Sequence, residues 1–431
     1  MLATYTTVSL LVICVSIWYY KTVVNPLVAY ASVWLLVILL YQLRLTPLQD
    51  VLAEETYVVF LVALLSYAAG CVLFERVTTR LACHHRNSRQ TSSEIRSHPI
   101  ADEVCSKELL IKLLIAWGVI EVIEIAYSGG IPLFWYLFNT GKTYFDFGIS
   151  TVHGLMNALG LVIILLSGYR ALRSKQDRLQ CVGLVTGMLL YYCLLVTRQV
   201  IITAAIELIV VALILKPKTT VKVLLPILLL GIIGFGIIGN IRSGYREFLD
   251  VALIDSNVPP LLIGFYWVYM YLTMTVANIN NLVLSALPAG GMGEILQFLP
   301  SIMRSIIPIE ATDPSMYLVT MAFNVSGYFV DFYLAWKLPG VVSIAAIYGA
   351  IGGITFGLVR HSKSERNILL YAVAIQIVVL SFFYNHLLYL PVGFQFILIV
   401  VIWIINSKYC SSNKNIKSLL EDEGRAYTLD E

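Results

Sequence analysis

Apolar runs long enough to cross a lipid bilayer recur along almost the whole chain, from residue 3 to residue 406. A transmembrane helix needs about 20 mostly apolar residues. Only 13% of the 431 residues are charged, whereas a soluble domain carries about 25%. The alternation that a transmembrane β-barrel shows over about ten residues per strand is absent. The chain is therefore predicted to be a single polytopic membrane domain, residues 1–431, of the all-α class.

Eleven apolar segments account for most of the length. They cover residues 3–20, 27–43, 57–74, 109–127, 151–167, 181–197, 199–215, 223–239, 335–358, 368–386 and 391–406. The predicted fold is a bundle of about 11 (10–12) transmembrane helices. A further run, 261–286, is interrupted by Asn278, Asn280 and Asn281, and whether it crosses the bilayer decides the topology.

The lysines and arginines orient the bundle. Five basic segments stand out: 75–108, 168–180, 216–222, 360–366 and the tail from Lys408. All five lie on one side only if 261–286 does not cross as a single span, and that side is then cytoplasmic. This arrangement, with the N-terminus outside and the C-terminus inside, is favoured. The alternative, a single crossing by 261–286, places 360–366 and the tail outside.

A tight turn near Arg198 and two segments then lie on the outer side, the loop 128–150 and the long segment 240–334. The second is too apolar for an ordinary solvated loop, so we expect it to lie in the interface or to re-enter the bilayer under cover of protein. Long structured loops in compact proteins are usually functional.

Four arginines lie on this otherwise cation-poor side: Arg198, Arg242, Arg246 and Arg304. Guanidinium groups bind phosphate through a planar fork of donors, so the arginines are predicted to bind a phosphate or pyrophosphate. If GNIRSGYREFLD stays helical, Arg242 and Arg246 share one face, and Gly239 and Gly244 let backbone amides approach the anion. The alternative is that arginines at helix ends simply reach the lipid headgroups.

Aromatic residues are concentrated in the outer loop GGIPLFWYLFNTGKTYFDFGISTVHG. Their rings suit stacking on sugars, and the predicted sugar-binding residues are Trp135, Tyr136, Tyr144 and Asp146. An aromatic belt at the membrane interface is the competing interpretation.

Three residues are candidates for a catalytic base: His153, Glu124 and Asp331. Glu121 and Glu124 share a helix face three residues apart, at a depth where acids usually face the bundle interior. These two glutamates could pair with the arginines, act as a general base or hold the loop in place, and pairing with the arginines is favoured over catalysis. For His153, the alternative is a structural hydrogen bond.

Several chemistries lack their motifs. The chain has no GxxxxGK[ST], HExxH or GxSxG sequence and no acidic pair of the DxD type in an outer loop, which argues against ATP hydrolysis. The seven cysteines form no CxxC, so neither a disulfide framework nor a metal site is expected. No cofactor and no nucleic-acid partner is predicted.

An ordered set of motifs resembles the O-antigen polymerase (Wzy) family. The set is NPLVAYASVWLLVILLYQL, SGGIPLFW, YFDFGISTVHGLMNAL, TRQVII, NIRSGYR and SGYFVDFY, spread along the whole chain. The resemblance implies a glycosyltransferase of the bacterial inner membrane. Such an enzyme joins undecaprenyl-pyrophosphate-linked oligosaccharides at the periplasmic face, and the family also implies a partner that regulates chain length.

The implied reaction agrees with the residues singled out above. A sugar hydroxyl of one lipid-linked unit attacks the anomeric carbon of another, and undecaprenyl pyrophosphate leaves. The arginines stabilise the leaving group, and His153, Glu124 or Asp331 accepts the proton. Two rivals stay open: an O-antigen ligase, which passes the glycan to the lipid A core, and a flippase or other transporter of lipid-linked oligosaccharides.

Overall fold

The chain forms a helical bundle in the computed structural model. The structure describes residues 1–90, 103–254, 258, 259 and 262–426, with the side chains of 83–90, 223, 227, 242, 243 and 410–426 excepted. The described helices are α1 (Leu2–Tyr20), α2 (Pro26–Tyr41), α3 (Glu54–Gln90), α4 (Lys107–Ser128), α5 (Pro132–Leu137), α6 (Val152–Arg173), α7 (Arg178–Leu194), α8 (Arg198–Leu215), α9 (Pro217–Ser243), α10 (Tyr245–Ala252), α11 (Ile263–Leu284), α12 (Gly293–Leu296), α13 (Ser301–Arg304), α14 (Val330–His361), α15 (Glu365–Val379) and α16 (Leu390–Ala426). No β-strand occurs among the described residues.

Polar caps and a glycine set several helix ends. The Asn25 side chain accepts from the Val28 N–H at 2.9 Å, directly before Pro26 opens α2. Ser106 accepts from Leu109 N–H at 3.2 Å in the same way at the start of α4. These bonds satisfy N–H groups that have no partner inside the helix. Gly129 ends α4 in the left-handed region, φ 75°, which glycine adopts without a steric penalty.

Each of the eleven predicted segments overlaps a helix, namely α1–α4, α6–α9 and α14–α16, although α15 ends at Val379, before the predicted segment 368–386 does. Seven described helices are long and apolar enough to cross a membrane, and they include α1, α3, α6, α8, α9, α14 and α16. Two shorter apolar helices, α2 and α7, run beside them. The chain is thus a helical, multi-pass membrane protein, and a count of eleven crossings stays a prediction.

One end of the bundle is held by ion pairs, and we call it the basic end. Arg360 Nη1 lies 2.7 Å from Glu75 Oε1, which joins α14 to α3. Arg170 Nη2 lies 2.7 Å from Glu103 Oε1, and Lys107 joins Asp177 at 3.3 Å. Segments predicted to share a side therefore do meet in space.

The opposite end, which we call the loop end, carries the loops 42–53, 129–151, 285–329 and 380–389. Helix α11 bonds to three of them. Asn280 accepts from the Ala53 N–H at 2.9 Å, Asn278 donates to the carbonyls of Phe323 and Val325 at 2.8 Å, and Thr275 donates to the Phe382 carbonyl at 2.8 Å.

The asparagines that interrupt the apolar run 261–286 are therefore its attachment points. Asn278 and Asn280 are 0% and 2% exposed, and their amide groups bond to loops that all belong to the loop end. A buried amide is tolerated because its hydrogen bonds are made. These contacts attach the second half of α11 to the loop end.

Candidate functional site

Two glutamates of α4 face the interior of the bundle near the loop end. Glu121 and Glu124 are 2% and 0% exposed, and their spacing of three residues puts them on one face, as the sequence predicts. Glu124 lies one turn before Gly129, where the chain leaves the helix and enters the loop 129–151.

Glu124 holds His153 by a short hydrogen bond. His153 Nδ1 lies 2.8 Å from Glu124 Oε2, and His153 Nε2 lies 3.0 Å from the amide of Asn157, one turn further along α6. A carboxylate accepts only, so Nδ1 carries the proton and Nε2 is the basic nitrogen of the ring. The side chain of His153 is 24% exposed while that of Glu124 is fully buried. The structure therefore brings together two of the three predicted base candidates.

The loop wraps tightly around this pair. The Ile149 N–H donates to Glu124 Oε1 at 3.1 Å, so both carboxylate oxygens are bonded. Gly148 has φ 89°, and a Cβ built there would lie 2.6 Å from His153 Cγ. The glycine is therefore required both by its conformation and by the imidazole beside it. Thr151, with φ 69°, stores backbone strain directly before α6.

Neither glutamate is paired with an arginine among the contacts that the structure shows. The Tyr191 hydroxyl of α7 donates a short hydrogen bond to Glu121 Oε2, and Glu124 bonds to His153 and Ile149. The predicted salt bridges from these glutamates to arginine are thus absent from the described contacts. The packing instead brings Tyr191 of α7 to Glu121 and His153 of α6 to Glu124. Sequence spacing could not indicate these partners.

Arg198, the first residue of α8, is enclosed by aromatic rings. Its guanidinium carbon lies 4.5 Å from the Phe235 ring centre, 5.3 Å from Trp267 and 5.4 Å from Tyr271, and Nη2 lies 3.3 Å from the Tyr271 hydroxyl. The residue is 7% exposed. Stacking on ring faces lets a desolvated guanidinium keep favourable electrostatics. An added Cβ at Gly239 of α9 would lie 3.1 Å from Arg198 Nη1, so this glycine makes room for the arginine.

The other three arginines occupy separate positions. Arg242 lies in the last turn of α9 and its side chain is outside the described part of the structure, whereas Arg246 lies in α10 and is exposed. Gly244, φ 79°, separates the two helices, so the predicted shared face does not form. Arg304, exposed at the end of α13, lies close to Tyr384. Burial raises the pKa of the Tyr384 phenol, and Arg304 opposes that increase.

Asp331, the third base candidate, has its own set of partners. It is buried in the first turn of α14, where its Oδ1 accepts from Gln297 Nε2 at 2.9 Å. Beside it, Glu294 is 1% exposed and accepts from the N–H and the hydroxyl of Thr312 at 2.9 and 2.6 Å. His153 contacts neither acid in the bonds that the structure shows.

The predicted sugar-binding residues differ in exposure and in partners. Trp135 is 4% exposed and packs on Phe147, so its ring has no open face. Tyr136 accepts from the Tyr144 N–H at 3.4 Å, and both rings are half-buried. Asp146 is exposed and accepts from the N–H and the hydroxyl of Thr143, which lower the pKa of its carboxyl. Asp146 thus shapes the turn.

The exposed rings of this loop are other residues. Phe134, Phe138 and Phe145 are 45%, 74% and 74% exposed, and Phe134 and Phe138 stack with their ring centres 6.4 Å apart. The spacing of four residues on the short helix α5 would indicate this outward face. Exposed apolar rings at the end of a membrane bundle also suit the lipid interface.

The loop 380–389 is the part of the site that sequence reasoning missed. Burial raises the pKa of the Tyr389 phenol to about 12, and Tyr144 of the aromatic loop adds to the increase. Asp331 acts in the same direction on Tyr384, and the rings of Tyr384 and Tyr389 lie 6.1 Å apart. This loop therefore lies between the His153 region and the Asp331 region. Its aromatic-rich sequence, FFYNHLLYL, is typical of the end of a transmembrane helix and so gives no sign of a functional loop.

A comparison with protein-family models, curated proteins and solved structures found no match to this chain. The role of Glu124, His153 and Asn157 therefore follows only from their chemistry and geometry. Their arrangement offers a buried carboxylate and a partly exposed imidazole that is fixed in one orientation, which are the parts of a general base.

Proposed function

We propose that the protein polymerises undecaprenyl-pyrophosphate-linked oligosaccharide repeat units by glycosyl transfer at the periplasmic face of a bacterial inner membrane. The main support for this proposal is the 2.8 Å hydrogen bond between Glu124 and His153, whose side chain is partly exposed at the loop end. The ordered motifs described above supply the substrate class. They include YFDFGISTVHGLMNAL, which contains this histidine.

In the proposed reaction His153 Nε2 accepts the proton of the attacking sugar hydroxyl. The new bond joins that oxygen to the anomeric carbon of the second unit, and the bond from this carbon to the pyrophosphate oxygen breaks. Glu124 stabilises the imidazolium that forms, because its carboxylate is bonded to Nδ1. The Asn157 amide, 3.0 Å from Nε2, has to turn away when the hydroxyl binds. The pyrophosphate carries away the electron pair.

The arginines at the loop end are proposed to stabilise the pyrophosphate. Arg246 and Arg304 are exposed and free to approach an anion from solvent. Arg198 is packed among aromatic rings, and Phe383 of the loop 380–389 stacks over one of them, Tyr271, at 5.8 Å. We assign Arg198 the role of a fixed positive charge in the wall of the site.

Orientation supports this placement. Cytoplasmic loops of membrane proteins are enriched in lysine and arginine, and the basic end gathers such residues. The loop end then faces the periplasm, where lipid-linked repeat units are joined. A partner that controls chain length belongs to the same proposal.

The decisive experiment uses purified protein in detergent with lipid-linked repeat units and no nucleotide. We expect polymer with one released undecaprenyl pyrophosphate per bond formed. His153→Ala should lower the rate by about 100-fold or more, whereas His361→Ala, an exposed histidine at the basic end, should not change it.

The rivals give different products in the same assay. A ligase forms no polymer but transfers glycan to an added lipid A core. A flippase does neither in detergent and moves the lipid-linked units only across a sealed vesicle. Either of these results, or an unchanged rate in His153→Ala, would overturn the proposal.

A further inference from the structure

Polar side chains are buried between α8, α15 and α16, deep in the bundle. Glu207 of α8 is 1% exposed and Gln395 of α16 is 0% exposed. Gln395 Nε2 donates to Glu207 Oε1 at 3.0 Å. The remaining oxygens of this pair, Glu207 Oε2 and Gln395 Oε1, are both buried without a hydrogen-bond partner. Among the described contacts, none joins Glu207 to a cation.

An ionised carboxylate in this position has no compensation. Moving a charge out of water costs several kcal/mol unless another charge or several hydrogen bonds offset it, and one amide N–H is a small offset. A carboxylic acid and a primary amide, by contrast, complement each other fully. A hydrogen on Glu207 Oε2 can donate to the amide oxygen of Gln395 while the amide hydrogen remains on Oε1. One proton therefore removes both unpaired atoms at once.

A metal cation at the same oxygens fits less well. The amide group of Gln395 directs its hydrogens at Glu207 Oε1, and these hydrogens repel a cation placed beside the carboxylate. A proton needs no cavity of its own, because it would be bonded to a carboxylate oxygen of a pair that is already hydrogen-bonded.

The pair is followed by further polar groups toward the loop end. Gln376 of α15 lies 3.3 Å from the Thr203 hydroxyl and 3.1 Å from His386 Nδ1. Thr203 lies one turn before Glu207 on the same face of α8. Gln376 Oε1 and His386 Nε2 are buried without partners, and unpaired polar atoms of this kind are where ordered waters bind. His386 belongs to the loop 380–389, beside the candidate site.

We propose that Glu207, held by Gln395, is an intramembrane proton-binding site that exchanges its proton with the loop end through Thr203, Gln376 and His386. The proposal does not depend on glycosyl transfer. Its ligand is the hydrogen ion, and it gives the protein a chemical link between its membrane core and the side that carries the candidate site.

Infrared spectroscopy of the full-length protein in lipid nanodiscs tests the first part. The wild type minus Glu207→Gln difference spectrum should contain one carbonyl-stretch band of a protonated carboxylic acid at neutral pH. Glu207→Gln keeps the shape of the pair, since two primary amides form the same two hydrogen bonds, so it should fold. In Gln395→Leu the band should shift toward that of an acid without a hydrogen-bonded partner.

Two results overturn the assignment. One is a difference spectrum that contains only carboxylate bands, so that Glu207 is ionised. The other is a protonated-acid band that disappears when sodium is added to a sodium-free buffer, which assigns the oxygens to a metal cation instead.

Hydrogen–deuterium exchange tests the connection. After transfer to heavy water the band should shift as its proton exchanges, and Gln376→Leu should slow this shift by about tenfold or more, because a link in the path is lost. Gln42→Leu, at a half-buried glutamine outside the path, should exchange as the wild type does. Equal rates in Gln376→Leu and the wild type would remove these residues from the path.

Discussion

The two ends of the bundle treat their carboxylates differently. At the basic end Glu75 and Glu103 bond to Arg360 and Arg170, each at 2.7 Å. At the loop end the buried carboxylate of Glu124 bonds to His153 at 2.8 Å, and that of Asp331 bonds to Gln297 at 2.9 Å. Glu75 and Glu103 are thus neutralised by permanent cations, whereas Glu124 is bonded to an imidazole that can gain or lose a proton and Asp331 to a neutral amide.

The difference indicates where the molecule is built for assembly and where it is built for chemistry. An arginine never gives up its proton, so the pairs at the basic end are permanent. They join α14 to α3, and α6 to the segment that precedes α4. A histidine next to a buried carboxylate is less favourable for stability but can accept a proton during a reaction. Four changes test whether this contrast is functional, and they are ordered from the largest expected effect to the smallest.

Exchanging one carboxylate at each end should separate activity from stability. Glu124→Gln should lower the polymerisation rate by about 100-fold, because His153 loses the charge that stabilises its protonated form, and should leave the melting temperature nearly unchanged. Glu75→Gln should do the reverse, with a loss of about 1 kcal/mol, since Arg360 is partly exposed and can turn to solvent. Rates and thermal unfolding measured on both variants decide. Equal losses of rate would remove the contrast.

Removal of an exposed arginine from the loop end should weaken substrate binding. Arg246→Ala should raise the KM for the lipid-linked substrate by about tenfold, the loss of one hydrogen bond to a charged group. Lys175→Ala, an exposed cation on the other side, is the matched control and should have no effect. Steady-state kinetics on both variants measure the difference. If Arg242→Ala and Arg246→Ala both yield polysaccharide at full rate, the arginines do not bind the pyrophosphate.

A methyl group at Gly239 tests whether Arg198 needs its enclosure. The added Cβ would lie 2.8 Å from Trp267 Cε2 and 3.1 Å from Arg198 Nη1, so Gly239→Ala should destabilise the protein by about 1–3 kcal/mol. Gly231→Ala on the same helix has no atom within 4 Å of its Cβ and should be neutral or slightly stabilising. Thermal unfolding followed by tryptophan fluorescence compares them. Identical melting temperatures in the two variants would contradict the prediction, because the rings around Arg198 would then accommodate the added methyl group without loss of stability.

The smallest effect concerns the turn at Asp146. Two donors of Thr143 lower the pKa of this carboxyl below its ordinary value, so the folded turn is favoured where Asp146 is ionised. The stabilisation is complete above the unfolded pKa of about 3.9 and is lost as the pH falls through the lower folded value. The protection factors of the amides of residues 143–147, which are corrected for the intrinsic pH dependence of exchange, should therefore decrease in acid. In Asp146→Asn the protection should not depend on pH in this range. If it decreases in acid as in the wild type, Asp146 is not the group that stabilises the turn.

Local and periodic features were predictable. The helices coincide with apolar runs because a segment in lipid must satisfy its own backbone hydrogen bonds. The shared face of Glu121 and Glu124 follows from helix geometry alone. The failure at Arg242 and Arg246 is equally local, because Gly244 could either continue the helix or break it, and its φ of 79° breaks it.

Partners far apart in the chain were not predictable. Glu124 was expected to bond to an arginine and instead bonds to His153, and Trp135 was expected to face a sugar and instead packs on Phe147. The sequence pattern does not single out the buried Glu207 or the loop 380–389, because one carboxylate in an apolar run and one aromatic helix end have no distinguishing spacing. Charge complementarity suggests many pairs, and only the packing selects among them.

The sequence by itself determined that this chain is a helical membrane protein and which segments are helices. Those properties depend on the length and polarity of single segments. Each segment meets the requirements of the bilayer independently of the others, because its backbone hydrogen bonds form within the segment. Tertiary structure alone decided that α11 bonds to the loop end, that Glu124, His153 and Asn157 meet, and that Glu207 faces Gln395. Such contacts depend on which helix faces pack together, and this is a property of the whole bundle.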